Sequence, residues 1–276
     1  HGWQDNAGTF DAIIPMIPDS FYVIALDFPG HGMSSHLPPG SPYHDIVFIM
    51  EIKRLVEYLK LENFIILGHS MGAALGLFFA SIFPKMVDTI IAIDMIKPLS
   101  FPAEELAKRT SDGIKLFLNL DEKINSKPPV YNHKTAIQKL IEAHSVYGVI
   151  TPEGAECLLK RGAKQTEDGK EELYFSRDNR LKAILFCRMD STALMSYLQN
   201  IECKLCIIKA TNGIKLDSDE IVEKYIELYK TKCKKFKYIQ VEGGHHVHLC
   251  QPEVVAPFIN QFLNNQLTNG TNGFIN

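Results

Sequence analysis

Short apolar runs alternate along the chain with stretches whose apolar residues recur at helical spacing. This is the rhythm of βα units around a parallel sheet. "FYVIALD" (21–27) is a near-continuous apolar run that ends in the turn sequence "FPGHGMSS". "NFIILG" (63–68), "VDTIIAID" (87–94), "KLCIIKA" (204–210) and "FKYIQVE" (236–242) read in the same way. Runs this short and rich in β-branched residues suit parallel strands covered on both faces. "DIVFIMEIKRLVEYLK" (45–60), "SMGAALGLFFASIF" (70–83), "SDEIVEKYIELYK" (218–230) and "PEVVAPFINQFL" (252–263) carry the helical period. The second of these is apolar enough to be buried.

The rhythm breaks between Asp94 and Lys204. Residues 97–200 are rich in Lys and Glu, with helical patches such as "HKTAIQKLIEAH" and "PEGAECLLKRGA" and no strand pair. A stretch of that length is no simple loop. It predicts a helical insertion over one end of the sheet. The expected organisation is therefore a first core part (1–96), a helical cap (97–200), a second core part (201–265) and a disordered Asn/Gly-rich tail (266–276).

Composition narrows the function classes. Hydrophobic residues make up 46% of the chain, charged residues 22%, and the net charge is −3. That balance argues against a nucleic-acid or anionic-membrane partner. The one basic run, "KTKCKKFK" (230–237), straddles a helix end and a strand start and reads as a solvated face. No apolar run reaches the roughly 18 residues of a membrane span. Six cysteines lack the spacing of a disulfide scaffold, and "CKLC" (203–206) enters a buried strand, so core packing is expected there. Asn269-Gly270-Thr271 forms a glycosylation triplet in the tail, of a kind that arises often by chance.

Gly68-His69-Ser70-Met71-Gly72 matches G-x-S-x-G between an expected strand and an expected helix, the context that gives the motif meaning. A serine there sits on a sharp turn, and flanking glycines avoid Cβ clashes. Its hydroxyl is a weak nucleophile unless a base takes the proton. "VEGGHHVHLCQP" (241–252) offers that base between the last strand and last helix: His245, with His246 and His248 as rivals. A carboxylate must hold the imidazole. The usual place is the loop after "KLCIIKA", but Asn212 and Gly213 stand there, and Asp217 comes four residues beyond Gly213. Asp94, at the end of "VDTIIAID", is the preferred candidate and Asp217 the alternative. The oxyanion needs two donors. They are expected to be the N–H groups of Met71 and of Trp3, in the opening His1-Gly2-Trp3.

Together, "HGWQDNAGTFD", "LDFPGHGMSSHLPPGSPY", "ILGHSMGAALGLFFASIFPKMVD" and "GGHHVHLCQP" resemble the α/β-hydrolase superfamily. Within it they resemble the serine hydrolase-like proteins, the kraken-like group. The resemblance spans nearly the whole chain. It implies a mostly parallel sheet flanked by helices, a cap over the site, an esterase-type activity, and no metal or organic cofactor. It places the nucleophile at Ser70 and the histidine at His245. The family usually opens with further strands before the His-Gly motif, so an N-terminal truncation is expected. Relatives that open epoxides or remove halide carry Asp at the elbow, and Ser70 argues against both.

The function expected is cleavage of a carboxylic ester or thioester through an acyl-enzyme on Ser70. A catalytically idle binding homologue and a C–C bond hydrolase are the alternatives. The expected partner is an apolar small-molecule ester, with Phe117, Tyr147, Phe175 and Met189 as pocket or core residues. Asp27, Gly30 and Gly32 read as structural, and no carboxylate sits at metal-ligand spacing from His31 and His36. Cysteine usage points to the cytoplasm, with peroxisomal or vesicle-associated placement as alternatives. The chain end Phe274-Ile275-Asn276 is not a peroxisomal address.

Overall fold

The computed structural model describes residues 1–168, 170–183 and 188–267. Cys187, the glycosylation triplet and most of the expected tail lie outside them. Helix α1 (Asp45–Tyr58) leads to strand β1 (Phe64–His69), helix α2 (Met71–Ile82) and strand β2 (Val87–Ile93). Helices α3 (Ala103–Glu122), α4 (His133–His144) and α5 (Pro152–Gly162) follow, then short strands β3 (Ala163–Gln165) and β4 (Leu173–Phe175) and helix α6 (Ser191–Leu198). Strand β5 (Lys204–Asn212), helix α7 (Asp219–Lys232), strand β6 (Lys235–Gly244), the short helix α8 (Val247–Cys250) and helix α9 (Pro252–Leu267) complete the chain's described part.

The main sheet has four strands in the order β1-β2-β5-β6, and each adjacent pair is parallel. The middle strands β2 and β5 are buried over most of their length because both faces are covered. Ile90 and Ala92 of β2, with Leu205 and Ile207 of β5, pack in one layer with α1, α2 and α7. The alternating Ile91, Ile93, Cys206 and Ile208 face the other layer, with Val255, Ile259 and Phe262 of α9. The "CKLC" pair is split by the same alternation: Cys203 and Cys206 are buried in different layers and unbridged. Burial pushes both thiols up to about 12.

One expected strand is absent. Residues 21–27 run without a ladder partner, and Tyr22, Val23 and Ile24 are exposed. Apolar, β-branched sequence supplies propensity, but a strand exists only through a neighbour, and none stands beside it among the described residues. Within residues 97–200, where no strand pair is expected, β3 and β4 form a small antiparallel pair.

That segment lies within the β2-to-β5 crossover, although β2 and β5 are neighbours in the sheet. It has its own apolar cluster, built on Ala136, Leu140, Leu158 and Leu159 and reaching Leu249 of α8. Two arginines, half-buried Arg161 and buried Arg180, join it to the loops after residue 26. Arg161 donates to Asp27 through Nε at 3.0 Å and Nη2 at 2.7 Å. Asp27 also accepts from the N–H groups of Ala7 and Met33. Arg180, almost wholly buried, donates to Asp178 (2.8 Å), Asp121 (3.0 Å) and the carbonyl of Pro38 (2.9 Å). Removing one partner from a buried pair strands the other charges. Arg180→Met should therefore destabilise the protein by about 3 kcal/mol, read as a lower urea midpoint. An unchanged midpoint would show that this network does not hold the segment down.

Candidate active site

The sharp turn between β1 and α2 carries Ser70, whose φ of +51° is rare for a residue with a side chain. The turn closes only because its flanks are small: a Cβ on Gly68 would lie 2.5 Å from the N of Ala73. Among the described non-glycine residues, only Gln4, Lys60, Ser70 and Asp94 have positive φ. Backbone strain of this kind gathers at functional sites, where surrounding contacts over-determine it. Here Ser70 and Asp94 flank one imidazole.

Three strand ends meet at that point. His245, just after β6, receives the Ser70 hydroxyl at Nε2, 2.9 Å away, and donates from Nδ1 to Asp94 Oδ2 at 2.6 Å. Asp94 follows β2 directly, and its carboxylate is fully occupied. Oδ1 accepts from the N–H of Ala210 and from the Lys209 ammonium, and Oδ2 also accepts from the N–H of Ile214. The rival carboxylate lies elsewhere. Asp217 pairs with the buried Lys97 at 3.0 Å. Gly213 explains how Asp94 fits, since any Cβ there would overlap its carboxylate. We expect Gly213→Ala to lower kcat by about 10²-fold, because small misplacements near a reacting group cost that much. Wild-type kcat in a folded Gly213→Ala protein would refute that placement.

The other histidines take supporting positions. His69 donates from Nε2 to the carbonyl of His245 at 2.9 Å, which fixes the backbone of the loop. His248 meets Thr9 Oγ1 at 2.9 Å. Burial pushes His69, His246 and His248 well below the usual imidazole range, so they are neutral packing groups at pH 7. His31 and His36 do not meet over a common ligand point: His31 approaches the carbonyl of Pro29, and His36 that of Ser176. Burial pushes His31 down to about 3. Among the described residues, Asp5, His69 and His246 form a trio that could hold a metal ion, their ligand atoms lying within 4.8 Å of one another. Burial raises the pKa of Asp5, which favours its neutral form.

A cavity of about 420 Å³ opens onto Ser70 and His245, within the range of small-molecule sites. Gly2, Trp3 and Met71 line it beside Ser70. As the first residue of α2, Met71 has an N–H with no acceptor inside its helix. Trp3 is pinned from its other side, where the indole donates to the carbonyl of Leu181 at 2.9 Å. His1 accepts from the N–H of Phe28 at 3.0 Å, which ties the opening His-Gly turn to the core. Leu99, Phe101, Val146 and Tyr147 from segment 97–200 form much of the remaining wall. Of the four residues named from sequence in that segment, Tyr147 alone lines this cavity. Phe117 is buried, Phe175 lines a smaller adjoining cavity, and Met189 packs on the core.

The family model for the α/β hydrolase fold matches residues 1–144, more than half of the chain. The chain belongs to the α/β-hydrolase family. A "Probable serine hydrolase" of Drosophila melanogaster is 33% identical over 266 residues, covering 95% of this chain and 79% of that protein. "Serine hydrolase-like protein 2" of Homo sapiens is 36% identical, over 95% of this chain and 85% of that one. Among solved structures, a hypothetical protein of Pseudomonas aeruginosa PAO1 superposes with a TM-score of 0.80 at 26% identity, covering 97% and 89%. This α/β hydrolase is therefore similar to proteins described as serine hydrolases. No helix among its described residues is long and apolar enough to cross a membrane.

Lys209 and the cavity arginines Arg109, Arg177 and Arg188 were not singled out from the sequence. Lys209 did leave a trace, as a lone charge inside the apolar run "LCIIKA". The arginines left none, since their packing against the cavity depends on the tertiary course of segment 97–200.

Proposed function

We propose that this α/β hydrolase cleaves a carboxylic ester or thioester through an acyl-enzyme on Ser70. The observation that carries the reading is the continuous relay from Ser70 Oγ through His245 to Asp94. With Nδ1–H committed to Asp94, Nε2 presents a lone pair to the serine hydroxyl. Ser70 Oγ attacks the carbonyl carbon as His245 Nε2 takes its proton. The negative charge that develops on the carbonyl oxygen falls to the N–H groups of Met71 and Trp3. Collapse of the tetrahedral intermediate breaks the bond to the alcohol or thiol, which leaves with the proton from His245. Water then attacks the acyl-Ser70 ester, with His245 as base, and releases the acid.

Asp94 keeps the imidazole in the tautomer this sequence requires and stabilises the imidazolium that forms. In this reading segment 97–200 is the cap, covering the acyl or alcohol part with Leu99, Phe101, Val146 and Tyr147. No step calls for a metal or an organic cofactor.

A fluorophosphonate probe tests the proposal directly. Ser70 of folded protein should be labelled, and Ser70→Ala should not. Absence of labelling would favour a catalytically idle protein that uses the same cavity to bind a small molecule.

A further inference from the structure

The chain has six arginines, and five of them are matched with carboxylates. Arg54 pairs with Glu51, Arg109 with Glu105 and Arg161 with Asp27. Arg180 pairs with Asp178 and Asp121, and Arg188 with Asp45. Arg177 is the exception. Among the described residues its guanidinium pairs with no carboxylate, and it lies over the Phe175 ring, 5.6 Å away. It nonetheless lines the cavity that holds Ser70 and His245. Asp5 shares the smaller adjoining cavity with it but forms no ion pair with it, and burial favours the neutral form of Asp5.

A half-buried guanidinium without a counter-ion is costly to hold, and a cation–π contact with one Phe ring offsets only a small part of that cost. The neighbouring Asp178 is already committed to Arg180 and to the Tyr43 hydroxyl. The remaining walls repeat the asymmetry. Arg109, Arg177 and Arg188 line the cavity against the single carboxylate of Asp45, which Arg188 engages. A planar guanidinium presents paired donors that match a carboxylate.

We propose that Arg177 is a specificity-determining residue that binds a carboxylate on the substrate, so that the natural ester or thioester is anionic with an apolar body. This rests on the serine hydrolase reading for the identity of the site. Its content comes from the isolation of Arg177 alone. The carboxylate sits either on the acyl part or on the leaving group, and both place a negative charge in the same cavity.

Matched esters separate these cases. Mono-p-nitrophenyl glutarate against p-nitrophenyl valerate places the charge on the acyl side. 4-(Butyryloxy)benzoate against phenyl butyrate places it on the leaving group. For the side that Arg177 serves, wild-type protein should prefer the anionic ester. Arg177→Met should lower the anionic-to-neutral ratio of kcat/KM by about 10- to 100-fold, chiefly through KM. Arg177→Lys should keep part of the preference, which a purely structural role would not produce. A ratio unmoved in both pairs, with the variant folded by circular dichroism, overturns the proposal.

If wild-type protein turns over neither pair and Ser70 is not labelled, the hydrolase reading has failed by itself. Calorimetry of monomethyl glutarate with Ser70→Ala and Ser70→Ala/Arg177→Met then decides the matter. Binding that depends on Arg177 supports the anion site, and no difference between the two proteins overturns it.

Discussion

Asp94→Asn should lower kcat by about 10⁴-fold, as loss of the charge behind a catalytic imidazole does elsewhere. Asp217→Asn should leave kcat within a few fold of wild type. The contrast follows from where each carboxylate lies. Asp94 Oδ2 accepts the His245 Nδ1–H at 2.6 Å, whereas Asp217 is spent on Lys97. An asparagine at 94 can present its amide nitrogen to His245, which would favour the tautomer whose Nε2 carries the proton. Ser70 would then face a donor instead of a base. Steady-state turnover of a p-nitrophenyl ester by the two folded variants gives the answer. Full activity of Asp94→Asn, or a collapse in Asp217→Asn, would reverse the assignment. Part of any loss in Asp217→Asn would have to be charged to Lys97, whose ammonium is buried and would lose its ion-pair partner.

The choice between these two carboxylates also marks how far the sequence could be read. The elbow was legible because its signal is local: a strand run, G-x-S-x-G and a helix run adjoin within a short stretch. His245 was legible because a glycine pair precedes it in the loop after the last strand. The acid is marked less sharply: the sequence favours Asp94 over Asp217, but it offers one carboxylate at the end of "VDTIIAID" and another beyond "KLCIIKATNG", both after strands. The feature that separates them is tertiary. Gly213 leaves the space that the Asp94 carboxylate occupies, while Asp217 turns away to a lysine from the other crossover. A glycine where an acid would normally fall is, in hindsight, the sequence trace of that exchange.

Residues 21–27 failed for the complementary reason. Their period and composition are those of a strand, but strand formation depends on a neighbour that local propensity cannot supply. The pair β3–β4 was missed because each strand is only three residues long. Their register rests on Ala163 opposite Phe175, a contact that bridges a turn with no periodic signal. Arg177 shows the limit most clearly. In "SRDNR" it looks equivalent to Arg180, yet one is enclosed by two carboxylates and the other faces the cavity without one.

Ser70→Ala and His245→Ala should each lower kcat by about 10⁶-fold, and the double variant should be no slower than the worse single one. The reason is mechanical. Oγ without the imidazole remains protonated, and the imidazole without Oγ has no nucleophile to activate, so either loss removes the same step. What survives in all three variants is the cavity with the N–H groups of Met71 and Trp3, which should still stabilise an oxyanion formed by water. Residual turnover about 10³-fold above the uncatalysed reaction is expected from that remainder. Single-turnover measurements on the three proteins, with fluorophosphonate labelling as control, would read both quantities. Additive losses would mean that Ser70 and His245 act on separate steps. That result is incompatible with a 2.9 Å hydrogen bond working as one nucleophile.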